Sequence, residues 1–159
     1  MIYLLSNNFN ECRKKLCDQH LNVSILDTGM AISYYLWINK PESVAFDASK
    51  FFTVDRLSQD IKSNIPRAFY PVKGSQDLYD WVLKSSSNYA FLIKYLIALT
   101  DEYLFRFLKP HKFSHAIPSF PKADFVALVD RERIENRISC CIDIYSKPAS
   151  FWLWTNRDK

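Results

Sequence analysis

The sequence predicts a mainly α protein: a single helical domain over residues 1–159 with one short N-terminal strand or extended arm. Three observations carry this. Glycine is confined to Gly29 and Gly74, too few for a sheet built on tight hairpins. Tyr89, Leu92, Leu96, Leu99 and Tyr103 recur at spacings of three and four, the rhythm of one helix face. Hydrophobic residues make up 48% of 159, enough for a single real core and too many for a disordered chain.

The elements follow in order. "IYLLS" reads as a short strand or a buried extended arm. Asn7 or Asn8 caps a first helix with Glu11 in its first turn. That helix runs to about Ile38, with a break expected near Gly29, and Pro41 stops it. Its later part, "MAISYYLWINKP", is apolar nearly all round and so belongs inside. Residues 41–74 hold Pro41, Pro66, Pro71 and Gly74 and form a connection with one short helix, "VDRLSQDIKSN"; the region is either a mobile flap or a packed irregular link. Ser75 caps "QDLYDWVLKSSSN", and a long helix spans Asn88 to Lys109 before Pro110. A last helical stretch covers roughly residues 123–145, bent or split near Asp130. The tail "SKPASFWLWTNRDK" carries Trp152 and Trp154 and should dock back onto the body.

Composition narrows the function classes. A glycine-rich phosphate loop is impossible with two glycines, and no nucleophile elbow or zincin motif occurs. The four cysteines, Cys12, Cys17, Cys140 and Cys141, include no CxxC pair, so free thiols in a reducing cytosol are expected, with no metal and no cofactor. The net charge of +4 permits a polyanionic partner without demanding one. "YAFLIKYLIALTDEYLFRF" is interrupted by Lys94, Asp101 and Glu102 and is too polar to span a membrane. "MIYLLSNN" lacks the basic start of a secretory signal, so a soluble cytoplasmic protein is expected.

The candidate chemistry lies along two polar lines. On the first helix Leu16, Val23 and Met30 repeat every seven residues as an apolar face, and Cys17, His20, Ser24 and Asp27 run beside them. On the long helix Asn88, Tyr95, Glu102 and Arg106 lie beside the seam. His20 titrates near neutrality, and a Glu102 packed among Tyr95, Leu99 and Tyr103 is a candidate general acid or base. The competing reading makes Glu102 and Arg106 a surface i,i+4 pair. Arg106, Lys109, His111 and Lys112, with Phe107 and Phe113 interleaved, form a basic cluster fit either to hold phosphates or to balance a helix C-terminus.

Three segments together resemble a family of small tailed-phage proteins. The opening carries Cys17-Asp18-Gln19-His20 and then Ile25-Leu26-Asp27, where the family has a Cys-Asp-Lys-His-like run and an Ile-Leu-Glu-like turn. The middle carries Trp81-Val82, Ser85, Asn88-Tyr89, Glu102-Tyr103, Arg106 and His111-Lys112. The ending carries Trp154 and Asn156-Arg157. Some members are remotely similar to pyrimidine-dimer DNA glycosylases, all-helical phage repair enzymes that attack the sugar with a free N-terminal amine, aided by a glutamate on the first long helix. This chain departs from the pattern in having Ile2 after Met1, Asp27 in place of Glu, and Tyr70-Pro71 where His-Pro is common.

The resemblance implies a DNA-acting protein in an infected host cell, of glycosylase or lyase type, with a polar cleft between the two long helices. His20 and Glu102 would be its acid or base. Asp27, Tyr70, Asn88, Arg106, Lys109, His111, Lys112 and Trp154 would bind substrate, with Tyr70 or Trp154 stacking on an extruded base. The alternative is a non-catalytic viral accessory protein that binds a host protein or a nucleotide, and the altered positions Asp27 and Tyr70 favour it.

Overall fold

A helix begins where a side chain can satisfy its first amides. Asn8 does so for α1 (Phe9–Lys15): its carboxamide accepts from the amides of Asn10 at 2.9 Å and Glu11 at 3.4 Å, a cap worth about 1 kcal/mol. In the computed structural model, which describes residues 2–39, 76–111, 114–121, 131–146 and 153–157, α1 is followed by α2 (Asp18–Asn39), α3 (Gln76–Leu83), α4 (Ser86–Phe107), a 3₁₀ turn (Ser114–Ser119) and α5 (Arg131–Ser146). The fold is mainly α, and no strand occurs among the described residues. None of their helices is long and apolar enough to cross a membrane.

The long helices α2 and α4 make the main pairing, with α1 against α4 and α3 against both. Leu21, Ile25, Ile32 and Leu36 of α2 meet Leu92, Tyr95, Leu96 and Leu99 of α4 in the core. The buried line on α2 is therefore displaced from the expected one, for Val23 is only half-buried. Aromatic stacking ties the pairs: Tyr34 on Tyr79 at 4.6 Å and Tyr35 on Tyr89 at 4.5 Å.

The expected break at Gly29 does not occur. α2 continues through Gly29, buried there and held by packing rather than by propensity. The chain breaks instead at Leu16, whose backbone turns extended (φ −68°, ψ 134°). The cause lies on α4. The Arg106 guanidinium takes the carbonyls of Arg13, Lys14 and Leu16 at 2.9, 3.3 and 2.6 Å, so it satisfies acceptors that the end of α1 leaves without helical partners.

Residues 2–5 are the extended arm rather than a strand. Ile2, Leu4 and Leu5 are buried, so the backbone amides and carbonyls between them need partners. Side chains supply these in place of a sheet. Ser24 Oγ accepts from the Tyr3 amide at 3.2 Å, Cys12 Sγ accepts from the Leu5 amide at 3.2 Å, the Tyr95 hydroxyl donates to the Tyr3 carbonyl, and Arg137 Nε donates to the Ile2 carbonyl at 2.8 Å.

Ser85 caps α4 by accepting from the Asn88 amide at 3.1 Å. The helix closes on Leu108, which is left-handed (φ 54°, ψ 25°) with its amide on the Leu104 carbonyl at 2.9 Å. Glycine is the usual residue there, and a leucine costs about 1 kcal/mol. The described tail docks as expected: Trp154 is half-buried and its indole donates to the Lys15 carbonyl at 3.0 Å. The connection over residues 41–74, the Ser75 cap, the bend near Asp130 and Trp152 lie outside the described residues.

Candidate functional site

Spacings of three and four put His20, Ser24 and Asp27 on one face of α2, with Cys17 just before its first residue, and all four are buried. Of the two polar lines only Ser24 and Tyr95 come to a shared place, and the space between them is not an open cleft. The N-terminal arm fills it, with Ser24 of one line and Tyr95 of the other both bonded to the backbone of Tyr3. The Tyr3 ring stacks on His20 at 3.8 Å, nearly parallel.

His20 is fixed from a third side by α5. Tyr145 Oη accepts from the Cys17 amide at 2.9 Å and lies 2.7 Å from His20 Nδ1. Burial pushes the imidazole below its ordinary value and the Tyr145 phenol above its own, so both stay neutral near pH 7. A phenolic hydrogen donated to Nδ1 pairs with a neutral ring that carries its proton on Nε2.

The arm has a direction along this seam. Tyr145 meets Cys17 and His20, whereas Ile2 is held by Arg137 and Cys141, earlier on α5. Tyr3 thus spans His20 and Ser24 of α2, and Asp27 stands one turn beyond Ser24 on that helix.

Glu102 lies elsewhere, in a second cluster. It is fully buried, and Arg106 Nε reaches its Oε1 at 2.9 Å. Arg157 Nε and Nη2 reach Oε1 and Oε2 at 2.8 and 2.9 Å, and Arg13 stands 3.9 Å from Oε2. Burial pushes this carboxyl up, but the hydrogen bonds and charges of Arg157 and Arg106 outweigh it and hold it below the usual carboxylate value. The cluster extends to Asp18, which receives Arg106 Nη1 at 2.9 Å and Thr155 Oγ1 at 2.6 Å.

Two expectations are corrected here. The Glu102–Arg106 pair exists but is interior rather than on the surface, because Arg106 must reach the end of α1. His20 and Glu102 do not form one acid–base unit: Glu102 binds three arginines and His20 binds two tyrosines.

The basic cluster also separates. Arg106 is buried and spends its guanidinium on Glu102, Asp18 and the α1 carbonyls. His111 is buried, with Nε2 3.1 Å from Asn22 Oδ1 and its ring edge-on to Tyr103. Lys109 is exposed. Asn88 is buried and donates to the Trp81 carbonyl at 2.7 Å, which joins α3 to α4 rather than lining a groove. Trp154 packs edge-on to Tyr145 at 6.3 Å. Tyr70, Lys112, Phe113 and the side chain of His115 lie outside the described residues.

The sequence reading missed Tyr3, Tyr145 and Arg137 at the seam, and Asp18 as a partner of Arg106. Tyr145 lies 125 residues from His20, and no local spacing links them. Among the described residues no group of three His, Cys, Asp or Glu side chains is placed to hold a metal ion, and Cys12, Cys17 and Cys141 are free and buried. No protein-family profile, curated protein or solved structure matches the chain.

Proposed function

We propose that the protein acts on DNA as a glycosylase or lyase of the phage type, and that its chemistry belongs to the far end of the arm–α2 seam, at Asp27. One observation supports this: the Tyr3 amide of the arm is bonded to Ser24 of α2, and a buried carboxyl group, Asp27, lies one turn beyond Ser24 on the same helix. An amine that condenses with a sugar C1′ needs a neighbouring carboxylate to move protons as the base leaves and the imine forms. Asp27 stands where the phage family that the chain resembles has a glutamate, and is one methylene shorter. His20, neutral and held by Tyr145, supports the seam, and Glu102 is assigned to the framework.

The test is borohydride trapping on duplex DNA carrying abasic sites or ultraviolet damage. The intact protein should form a covalent adduct and nick the strand. Asp27→Asn should lower the trapping rate by about a hundredfold or more, the scale of a lost acid or base, with the circular dichroism spectrum unchanged. If the intact protein gives neither adduct nor nick, the reading passes to a non-catalytic viral accessory protein that binds a host protein or nucleotide. The commitment of Glu102 and Arg106 to internal bonds favours that second reading.

A further inference from the structure

The cations exposed to solvent are not the ones the sequence groups together. Because Arg106 draws the end of α1 onto the end of α4, the last turn of α1, with Lys14 and Lys15, is carried to the end of the bundle where Lys109 stands. All three lysines are exposed. The end of α4 presents Leu104 and Phe105, each about half exposed, and its cap Leu108 is 83% exposed. Leu108 holds the left-handed position where glycine is the unstrained choice. A large apolar side chain is thus projected from a helix end at a conformational cost and left largely exposed.

We propose that this end of the bundle docks on duplex DNA, with Leu108 inserted into the base stack and Lys14, Lys15 and Lys109 on the flanking phosphates. The proposal deepens the DNA-acting reading and rests on it. Charge complementarity selects a polyanion. The shape favours a duplex over an anionic membrane: Leu108 stands out furthest, 83% exposed against about half for Leu104 and Phe105, on a surface that also carries Asp101, Thr155 and Asn156. A lipid surface calls for a continuous apolar face, whereas a kinked duplex accepts a single apolar wedge between base steps. The surface adjoins α2 at Asp18, and Asp27 lies nine residues further, about 13 Å along the helix.

The experiment uses the full chain, a short duplex with 2-aminopurine at its centre, and vesicles rich in phosphatidylserine. Leu108→Gly should keep or raise the melting temperature, since glycine suits the left-handed position. The same change should weaken duplex binding roughly tenfold, the scale of one leucine no longer buried, and abolish the rise in 2-aminopurine fluorescence with the salt slope unchanged. Lys14→Ala with Lys15→Ala should flatten the salt slope by about two units. Duplex binding that ignores all three changes overturns this surface and leaves the DNA reading standing. No duplex binding by the intact protein at low salt overturns both. Vesicle binding that depends on Leu108 and exceeds duplex binding overturns the proposal in favour of a membrane surface, and a lowered melting temperature in Leu108→Gly would make Leu108 a packing residue.

Discussion

The two polar clusters of this protein are built from different chemistry, although both sit against the same helix pair. At the seam, neutral groups meet: Tyr3, Ser24, Tyr95, Tyr145 and His20 exchange hydrogen bonds and stack. At the clasp, ions meet: Glu102 and Asp18 bind Arg106, and Arg157 closes over them with its guanidinium 4.0 Å from the Phe105 ring. An ion buried at the clasp is tolerable only because every partner is in place. Removing one group there strands a charge, whereas removing one group from the seam leaves only a neutral polar atom. The clasp is therefore the more fragile under mutation and the less suited to chemistry, because its acid is already saturated.

The largest expected effect tests that contrast. Arg106→Met leaves Glu102 buried with fewer counter-charges and frees the carbonyls of Arg13, Lys14 and Leu16. The loss should be about 3–5 kcal/mol, a fall in melting temperature on the order of 10 °C for a chain this long. Glu102→Gln keeps the shape and one acceptor, so a smaller loss of ~2 kcal/mol is expected. Scanning calorimetry of both variants checks the order. A Glu102→Gln protein with wild-type stability would mean that the clasp contributes nothing and that Glu102 is again available as a site residue.

The helices were legible because α2 and α4 are long and periodic, and Ser85 and Asn8 carry recognisable caps. The break at Leu16 was not, because its cause is an arginine 90 residues away. The site was half legible. Spacing alone placed His20, Ser24 and Asp27 on one face, but of the second line only Tyr95 meets the arm beside them, while Asn88 joins α3 and Glu102 and Arg106 join the clasp. What a sequence cannot display is that the chain's own arm occupies the gap, since an extended segment with no periodicity gives no register. Likewise Arg106, Lys109 and His111 are neighbours in sequence, yet two are buried and one is exposed: α4 ends at Phe107, and the left-handed turn at Leu108 redirects the chain before Lys109 and His111.

The clasp and the seam should also part under acid. The folded Glu102 carboxyl is held below its ordinary value, so its contribution is complete above about pH 4.3 and is lost as pH falls through the lower folded value. His20 is likewise depressed in the folded state, but as a base: the unfolded chain binds its proton first, so stability declines as pH drops from about 6.5. The groups facing His20 are Tyr3 and Tyr145, both neutral there. A urea titration series from pH 8 to pH 3 should show two declines, one from each region. In His20→Asn the decline that starts near pH 6.5 should vanish while the acid one remains. One decline, unchanged in that variant, would break the assignment of the upper step to the seam.

The smallest effect belongs to the seam's outer bond. Tyr145→Phe keeps the ring against His20 and removes only the hydroxyl. The Cys17 amide then loses its acceptor and His20 Nδ1 loses its donor, at a cost of about 1–2 kcal/mol, well short of Arg106→Met. The more telling change concerns the proton on His20. Without the phenolic hydrogen on Nδ1, the neutral ring is no longer biased to carry its proton on Nε2. Nitrogen-15 shifts of the imidazole should therefore move from one dominant tautomer toward a mixture, while the Glu102 step in the acid titration stays where it was. An unaltered tautomer in Tyr145→Phe would show that the arm, and not α5, sets the state of His20, and the seam would then depend on Tyr3 and Ser24 alone.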